Sequence, residues 1–66
     1  DPHRALDWFT KAYDAGSTAA AYNLAYMYEQ GDGVPQNIDT ATEWYRKSAE
    51  RGDAAAKQWL TDHGAK

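Results

Sequence analysis

The sequence lacks cysteine, a basic cluster and any long apolar run. Without cysteine the chain can form neither a disulfide framework nor a thiolate metal site. Seven Lys and Arg residues against ten Asp and Glu residues give a net charge of −3, which disfavours binding to nucleic acid or to an anionic membrane. The longest apolar stretch, residues 19 to 28, is interrupted by Asn23 and is too short to span a bilayer, so membrane insertion is not expected.

Large aliphatic side chains are scarce as well. Thirteen of the apolar residues are Ala, whereas three Trp, five Tyr and one Phe make up the aromatic set. A chain of 66 residues has little surface to bury, and aromatic side chains bury the most surface per residue. The composition therefore predicts a small core that depends on its aromatic residues.

The chain repeats itself with a period of 36 residues. A shift of this length aligns WFTKAYDAG (8 to 16) with WYRKSAERG (44 to 52). The seven identities at this offset include Trp8 with Trp44 and Gly16 with Gly52. Such a period is typical of proteins built from stacked helical repeats. We therefore expect Trp8 and Trp44 to occupy equivalent positions between helices.

Apolar spacing and cap signals predict four helices. They run from residue 2, after the capping residue Asp1, to 15, from 18 to 30, from a start between 37 and 39 to a point before Gly52, and from 54 to about 63. Gly16 and Gly52 are expected at positive φ just past helix ends, and residues 31 to 36 form a turn. The predicted inner stripes comprise Ala20, Leu24, Met27 and Tyr28 on the second helix and Ala41, Trp44, Tyr45, Ser48 and Ala49 on the third.

Candidate catalytic and metal-binding patterns are few. His3 and Asp7 lie one helical turn apart, but nothing near this end of the chain would enclose them, as acid–base catalysis requires. His63 follows Asp62 at a helix C-terminus, where an imidazolium is favoured by the helix dipole. The stretch from 32 to 43 has the length of a calcium-binding loop but lacks its inner oxygen ligands and its glycine. We therefore expect no catalytic residues, no metal site and no cofactor.

Three segments together resemble a known family. They are ALDWFTKAYDAG near the start, the turn G-x-G-V-P-Q at 31 to 36, and the sequence W-Y-R-K-S-A-E-R-G-D that begins at Trp44. This arrangement resembles the Sel-1-like repeat, a subfamily of tetratricopeptide-like helical solenoids that is widespread in bacteria. The resemblance covers essentially the whole chain.

The resemblance implies an all-α fold, a right-handed α/α superhelix of four antiparallel helices and about one and a half to two repeats. In this family a repeat consists of helix A, a turn and helix B. Residues 1–66 would then form a single domain. Within it, 1–16 would be helix B of a partial repeat, 17–52 a complete repeat, and 53–66 a terminal helix A or cap.

The resemblance also implies a function, a non-catalytic module that presents a groove to a protein or peptide. The A helices of such solenoids line the concave wall, so the outer face of helix 18–30 would point into the groove, while Leu24 and Met27 face the core. The expected groove residues are Tyr22, Tyr26, Glu29, Gln30, Gln58 and Asp62. Their amphipathic and acidic character suits a partner with basic and apolar residues.

Several alternatives stay open. The chain could be a structural spacer in a longer solenoid, or, as some relatives imply, a protein with hydrolytic or peptidoglycan-related activity. Self-association through the open ends of the stack is a further expectation. Tyr22 could cover a neighbouring helix instead of facing a groove, and Trp59 could either cover the C-terminal face or form an exposed contact. Bacterial relatives are often exported, which is a tendency of the family and does not define a compartment.

Overall fold

The structure is a computed structural model that describes the backbone of residues 2–63 and the side chains of residues 4–63. The capping role of Asp1 and the pairing of His3 with Asp7 lie outside these residues. The described part contains the helices α1 (Pro2–Asp14), α2 (Thr18–Gln30), α3 (Ile38–Glu50) and α4 (Ala54–Asp62). Each helix packs against the next one along the chain. The prediction of an all-α fold is confirmed, and the predicted helix bounds agree to within about a residue.

The two short turns share the hydrogen bond of their glycine and a side-chain cap on the residue that follows it. Gly16 has φ of 107° and Gly52 of 99°, as predicted, and the amide of each donates to a carbonyl three residues earlier. The next residue then caps the following helix. The Ser17 hydroxyl accepts from the amide of Ala20, and the Asp53 carboxylate accepts from the amide of Ala55. Small or polar residues at these positions therefore end one helix and start the next at the same place in each repeat.

The core lies where α2 and α3 meet, and α4 closes it at one end. Fully buried residues include Leu24 and Ala25 of α2, Ala41 and Tyr45 of α3, and Ala56 of α4. Tyr45 is the largest of the fully buried side chains. The many Ala residues thus let the helices approach closely, while one aromatic ring fills the space between them.

The expectation that Trp8 and Trp44 occupy equivalent positions between helices was wrong. Trp44 is half-buried, because the ring of Tyr13 on α1 meets it edge-on at 5.1 Å between centroids. Trp8 is 69% exposed. Among the described residues no aromatic ring covers Trp8 as Tyr13 covers Trp44. Identical residues 36 positions apart in the sequence therefore differ in burial because their neighbours differ.

None of the helices within 2–63 is both long and apolar enough to cross a bilayer.

Candidate binding groove

An open cleft of about 510 Å³ lies between the first half of α2 and the turn that joins α3 to α4. One wall is α2, and the opposite wall is the turn with the start of α4. Ala19 and Ala55, which are 36 residues apart in the sequence, both line it. The cleft thus lies between equivalent parts of two successive A helices. It is lined by Thr18, Ala19, Tyr22, Asn23, Arg51, Gly52, Asp53 and Ala55.

The structure places the six expected groove residues in different environments. Tyr26 is 49% exposed and Gln30 is exposed, both on α2. On α4 the Gln58 amide donates a hydrogen bond to the Asp62 carboxylate at 2.7 Å, so these two exposed side chains pair with each other. Tyr22 and Glu29 are partly buried and are described next.

Tyr22 both covers a neighbouring helix and borders the cleft. Its ring meets the ring of Tyr45 edge-on, with centroids 5.4 Å apart, and it packs against the core cluster. The remaining face of the ring lines the cleft. Of the two alternatives that the sequence left open for Tyr22, the contact with a neighbouring helix is therefore present, because α3 lies close enough for the Tyr22 ring to pack on Tyr45. Its replacement would therefore disturb the core as well as the cleft.

Glu29 connects three helices. Its side chain is only 18% exposed. One carboxylate oxygen accepts from the Tyr45 hydroxyl of α3, and the other accepts from the Trp59 indole N–H of α4, both at 2.8 Å. The His63 Nε2 atom lies 3.8 Å from the second oxygen. Charge-assisted bonds of this kind are about twice as strong as neutral ones, so Glu29 stabilises the junction of α2, α3 and α4.

Three rings are stacked beside this carboxylate. Trp59 lies parallel to Tyr45 at 4.0 Å between centroids, and His63 lies on the other side of Trp59 at 4.1 Å. Of the two expectations for Trp59, the covering role is therefore the one that holds, since its ring closes the end of the core over Tyr45. Sequence reasoning placed Tyr45 inside but missed its bond to Glu29, because the partners are 16 residues apart.

The charged residues at the edge of the cleft also have internal partners. Asp53 accepts from the Ser48 hydroxyl at 2.8 Å with one oxygen and caps α4 with the other. The Arg51 guanidinium donates to the Tyr13 carbonyl at 2.9 Å and lies 3.8 Å above the Tyr13 ring. These two charges therefore hold the turn in place and tie it to α1.

The environment of Tyr45 is expected to lower the stability of the fold at alkaline pH. Burial raises the pKa of Tyr45 above its ordinary value of about 10, and the hydrogen bond to Glu29 raises that pKa further. The unfolded chain ionises near the ordinary value while the folded one stays protonated. The contribution is therefore complete below about pH 10 and decreases above it, by about 1.4 kcal/mol for each further pH unit.

We expect the melting temperature to fall more steeply between about pH 9 and about pH 11 in the parent than in Tyr45→Phe, which has no hydroxyl to ionise. Thermal melts followed by circular dichroism at several pH values measure both slopes. The other tyrosines and the lysines are common to the two proteins. Parallel slopes would contradict the assignment of a protonated, hydrogen-bonded Tyr45.

Titratable groups in the described part do not converge as they would around a metal. No group of three His, Asp or Glu side chains within residues 4–63 is placed to hold a metal ion.

Comparisons with known proteins identify the repeat. The family model of the Sel1 repeat matches residues 1–17 and 18–53. The crystal structure of a Sel1 repeat protein from Oxalobacter formigenes superposes with a TM-score of 0.82 and 40% sequence identity, over 98% of this chain and 28% of that one. The family boundary at 17/18 coincides with the cap of α2.

Curated relatives are much longer proteins. The chitin synthase regulator SKT5 of Saccharomyces cerevisiae is 38% identical over 85% of this chain and 8% of its own length. The ERAD-associated E3 ubiquitin-protein ligase component HRD3A of Arabidopsis thaliana is 40% identical over 88% of this chain and 8% of its own length. The chain spans only between 4% and 12% of the length of such curated relatives. By name these relatives are regulators or components of larger assemblies, and the matches as a whole show that this chain belongs to the Sel1 repeat family.

Proposed function

We propose that this chain is a non-catalytic interaction module that binds a protein or peptide partner on the exposed face of α2 and α4. The face comprises Tyr22, Tyr26, Glu29, Gln30, Gln58 and Asp62. The observation that carries the proposal is the exposure of Tyr26, 49%, on the same helix that forms one wall of the open cleft. A tyrosine offers a large contact area and loses little side-chain entropy when a partner immobilises it.

The roles of the six residues differ within this proposal. Tyr26 supplies the contact area, and Gln30, Gln58 and Asp62 form a polar rim. Tyr22 and Glu29 support the surface from below, since each is engaged with Tyr45. The regulatory and complex-forming names of the relatives agree with a binding role.

Replacing Tyr26 with Ala tests the proposal. Tyr26 is not part of the buried core, so the melting temperature should stay within a few degrees of the parent. Binding should weaken by about 1 to 3 kcal/mol, the usual effect of removing an aromatic anchor. A photoreactive amino acid at position 26 of the full-length protein first captures the partner from the cell of origin, and calorimetry then compares the parent with the variant.

Glu43→Ala is the matched control, because Glu43 is also exposed but lies on α3. The Glu43→Ala variant should bind the partner with the affinity of the parent. A photoreactive residue at position 43 should not capture the partner that is captured from position 26. Capture at 43 as efficient as at 26, or unchanged affinity in Tyr26→Ala, would move the site away from this face. If neither position captures a partner, the alternative that the chain is a structural spacer in a longer solenoid is favoured instead.

A further inference from the structure

We propose that the turn between α2 and α3 contains a site of spontaneous covalent modification, at which Asp32 converts to isoaspartate. The reacting groups are the Asp32 carboxyl group and the amide nitrogen of Gly33, and water is the co-reactant. None of the residues of this turn lines the cleft, so the site is independent of the proposed binding face.

Asp32 is the one aspartate of this chain that precedes a glycine. A side chain on the following residue hinders the approach of that residue's amide nitrogen to the aspartyl carboxyl group, and glycine has no side chain. Glycine also leaves the main chain free to adopt conformations that other residues avoid, and Gly33 has φ of 78°. The sequence Asp32–Gly33 therefore offers the least hindered nucleophile next to any aspartate in the chain.

The folded turn leaves these two groups free to meet. Asp32 and Gly33 are both exposed. The Asp32 amide donates to the carbonyl of Met27 at 3.0 Å, which fixes the side of Asp32 that faces α2. Beyond that bond, the amides of Gly33 and Val34 donate no hydrogen bond to any described residue. Rotation about the Asp32 Cα–C bond, which carries the Gly33 nitrogen towards the carboxyl group, therefore does not require a hydrogen bond of these amides to break.

The other aspartates within residues 4–63 are held in place. The amides that follow Asp14 and Asp62 each donate to a carbonyl four residues earlier, and the amide that follows Asp39 donates to the cap of α3. Both carboxylate oxygens of Asp53 accept hydrogen bonds. Asp7 lies inside α1. At each of these positions a hydrogen bond or a helical turn opposes the reaction, so Asp32 should react first.

The reaction closes a ring and opens it again. The Gly33 nitrogen attacks the Asp32 Cγ atom and loses its proton to solvent, while the Cγ hydroxyl leaves as water, so that a cyclic succinimide forms. Water then adds to one of the two ring carbonyls. Cleavage of the new N–Cγ bond restores aspartate, whereas cleavage of the bond between the nitrogen and the main-chain carbonyl carbon gives isoaspartate. One water leaves and one enters, so the mass of the chain is unchanged and no oxidant or reductant takes part.

Isoaspartate lengthens the main chain by one atom inside a tight turn. After the free segment, the Gln36 side chain donates to the Glu29 carbonyl at 2.8 Å, and the Asn37 amide donates to a carbonyl of α2 at 2.9 Å. The two ends of the turn are so close that a Cβ added to Gly31 would lie 3.1 Å from the Cβ of Gln36. The extra atom therefore disturbs the bonds that lead the chain from α2 into α3.

The test stores the full-length protein for several weeks at neutral pH and body temperature, beside a synthetic peptide of residues 29–37 with blocked ends. The protease Asp-N cuts before aspartate but not before isoaspartate, so loss of the cut before residue 32 without a change in mass measures the modification. An isoaspartate-specific carboxyl methyltransferase should label the same fragment. The rate in the protein should lie within about tenfold of the rate in the peptide, because no hydrogen bond of the reacting amide has to break first.

Asp32→Glu is the control variant, because its longer side chain would have to close a larger ring, which forms much more slowly. It should accept no methyl label in this turn. The modified protein, separated by ion exchange, should melt a few degrees below the unmodified protein, whereas stored Asp32→Glu should melt like a fresh sample. A rate in the protein below the expected range, or a methyl label that appears first at another aspartate, would overturn the proposed site. Isoaspartate at position 32 with an unchanged melting temperature would overturn its effect on the turn.

Discussion

Replacing Tyr45 with Ala is expected to lower the free energy of unfolding by about 3 to 5 kcal/mol. Tyr45 is fully buried, and its ring packs between Tyr22 on one side and Trp59 on the other. The substitution leaves a cavity that these two half-buried rings cannot fill without leaving their own contacts. A chain of 66 residues has a total stability of only about 3 to 10 kcal/mol. The substitution should therefore remove between about a third and all of the stability of the folded chain.

Urea unfolding followed by circular dichroism measures this loss. Tyr45→Phe retains the ring and removes only the hydroxyl, so it should lose about 1 to 2 kcal/mol. Trp44→Ala provides a comparison on the same helix, and because Trp44 is only half-buried its loss should be smaller than that of Tyr45→Ala. A larger loss in Trp44→Ala, or a Tyr45→Ala protein that unfolds at the parental urea concentration, would remove Tyr45 from the centre of the core.

The repeat and the helix bounds could be predicted because they depend on local signals. Gly16 and Gly52 end helices through their own backbone freedom, and Ser17 and Asp53 start helices through bonds that reach only two or three residues along the chain. The 36-residue period means that the same signals occur twice in the chain, which supports each of them. Features that are fixed within a few residues of each other are therefore accessible from sequence.

The ranking of the aromatic residues could not be predicted in the same way. Helical phase placed both Trp44 and Tyr45 on the inner side of α3, but it gives only an angle around one helix. Which of the two is fully buried depends on where α2 and α4 lie. The contrast between Trp8 and Trp44 has the same origin, since Tyr13 covers only the second. Burial is a property of the neighbours, and the neighbours come from distant positions in the chain.

The candidate groove shows the same division. The prediction located Tyr26 and Gln30 on an exposed face of α2, and they are exposed. It also assigned Glu29 to that face, one turn from Tyr26. The Tyr45 hydroxyl and the Trp59 indole, 16 and 30 residues away, draw its carboxylate into internal hydrogen bonds. No pattern within a few residues of Glu29 predicts such distant partners. The one available signal is that Glu29 is the single acidic residue on a helix without other charges.

Replacing Glu29 with Ala is expected to lower the free energy of unfolding by about 2 to 4 kcal/mol. The substitution leaves two donors, the Tyr45 hydroxyl and the Trp59 indole N–H, without their acceptor. A donor without an acceptor in a buried or half-buried position destabilises the fold, because its removal from water is no longer compensated by a hydrogen bond. Glu29→Gln should lose about half as much, because its single carbonyl oxygen can still accept from one of the two donors.

Two measurements together identify this role of Glu29. Urea unfolding gives the loss of stability, and Gln30→Ala, an exposed neighbour on the same helix, should change it by less than about 0.5 kcal/mol. Proton NMR gives the exchange rate of the Trp59 indole hydrogen, which should rise in Glu29→Ala but not in Gln30→Ala. If both variants unfold alike and the indole hydrogen stays protected, the carboxylate does not hold α4 to α2, and Glu29 is free to act as a contact in the groove. If stability and protection fall together, weakened partner binding in a Glu29 variant reflects loss of structure, because α4 then separates from the wall that α2 provides.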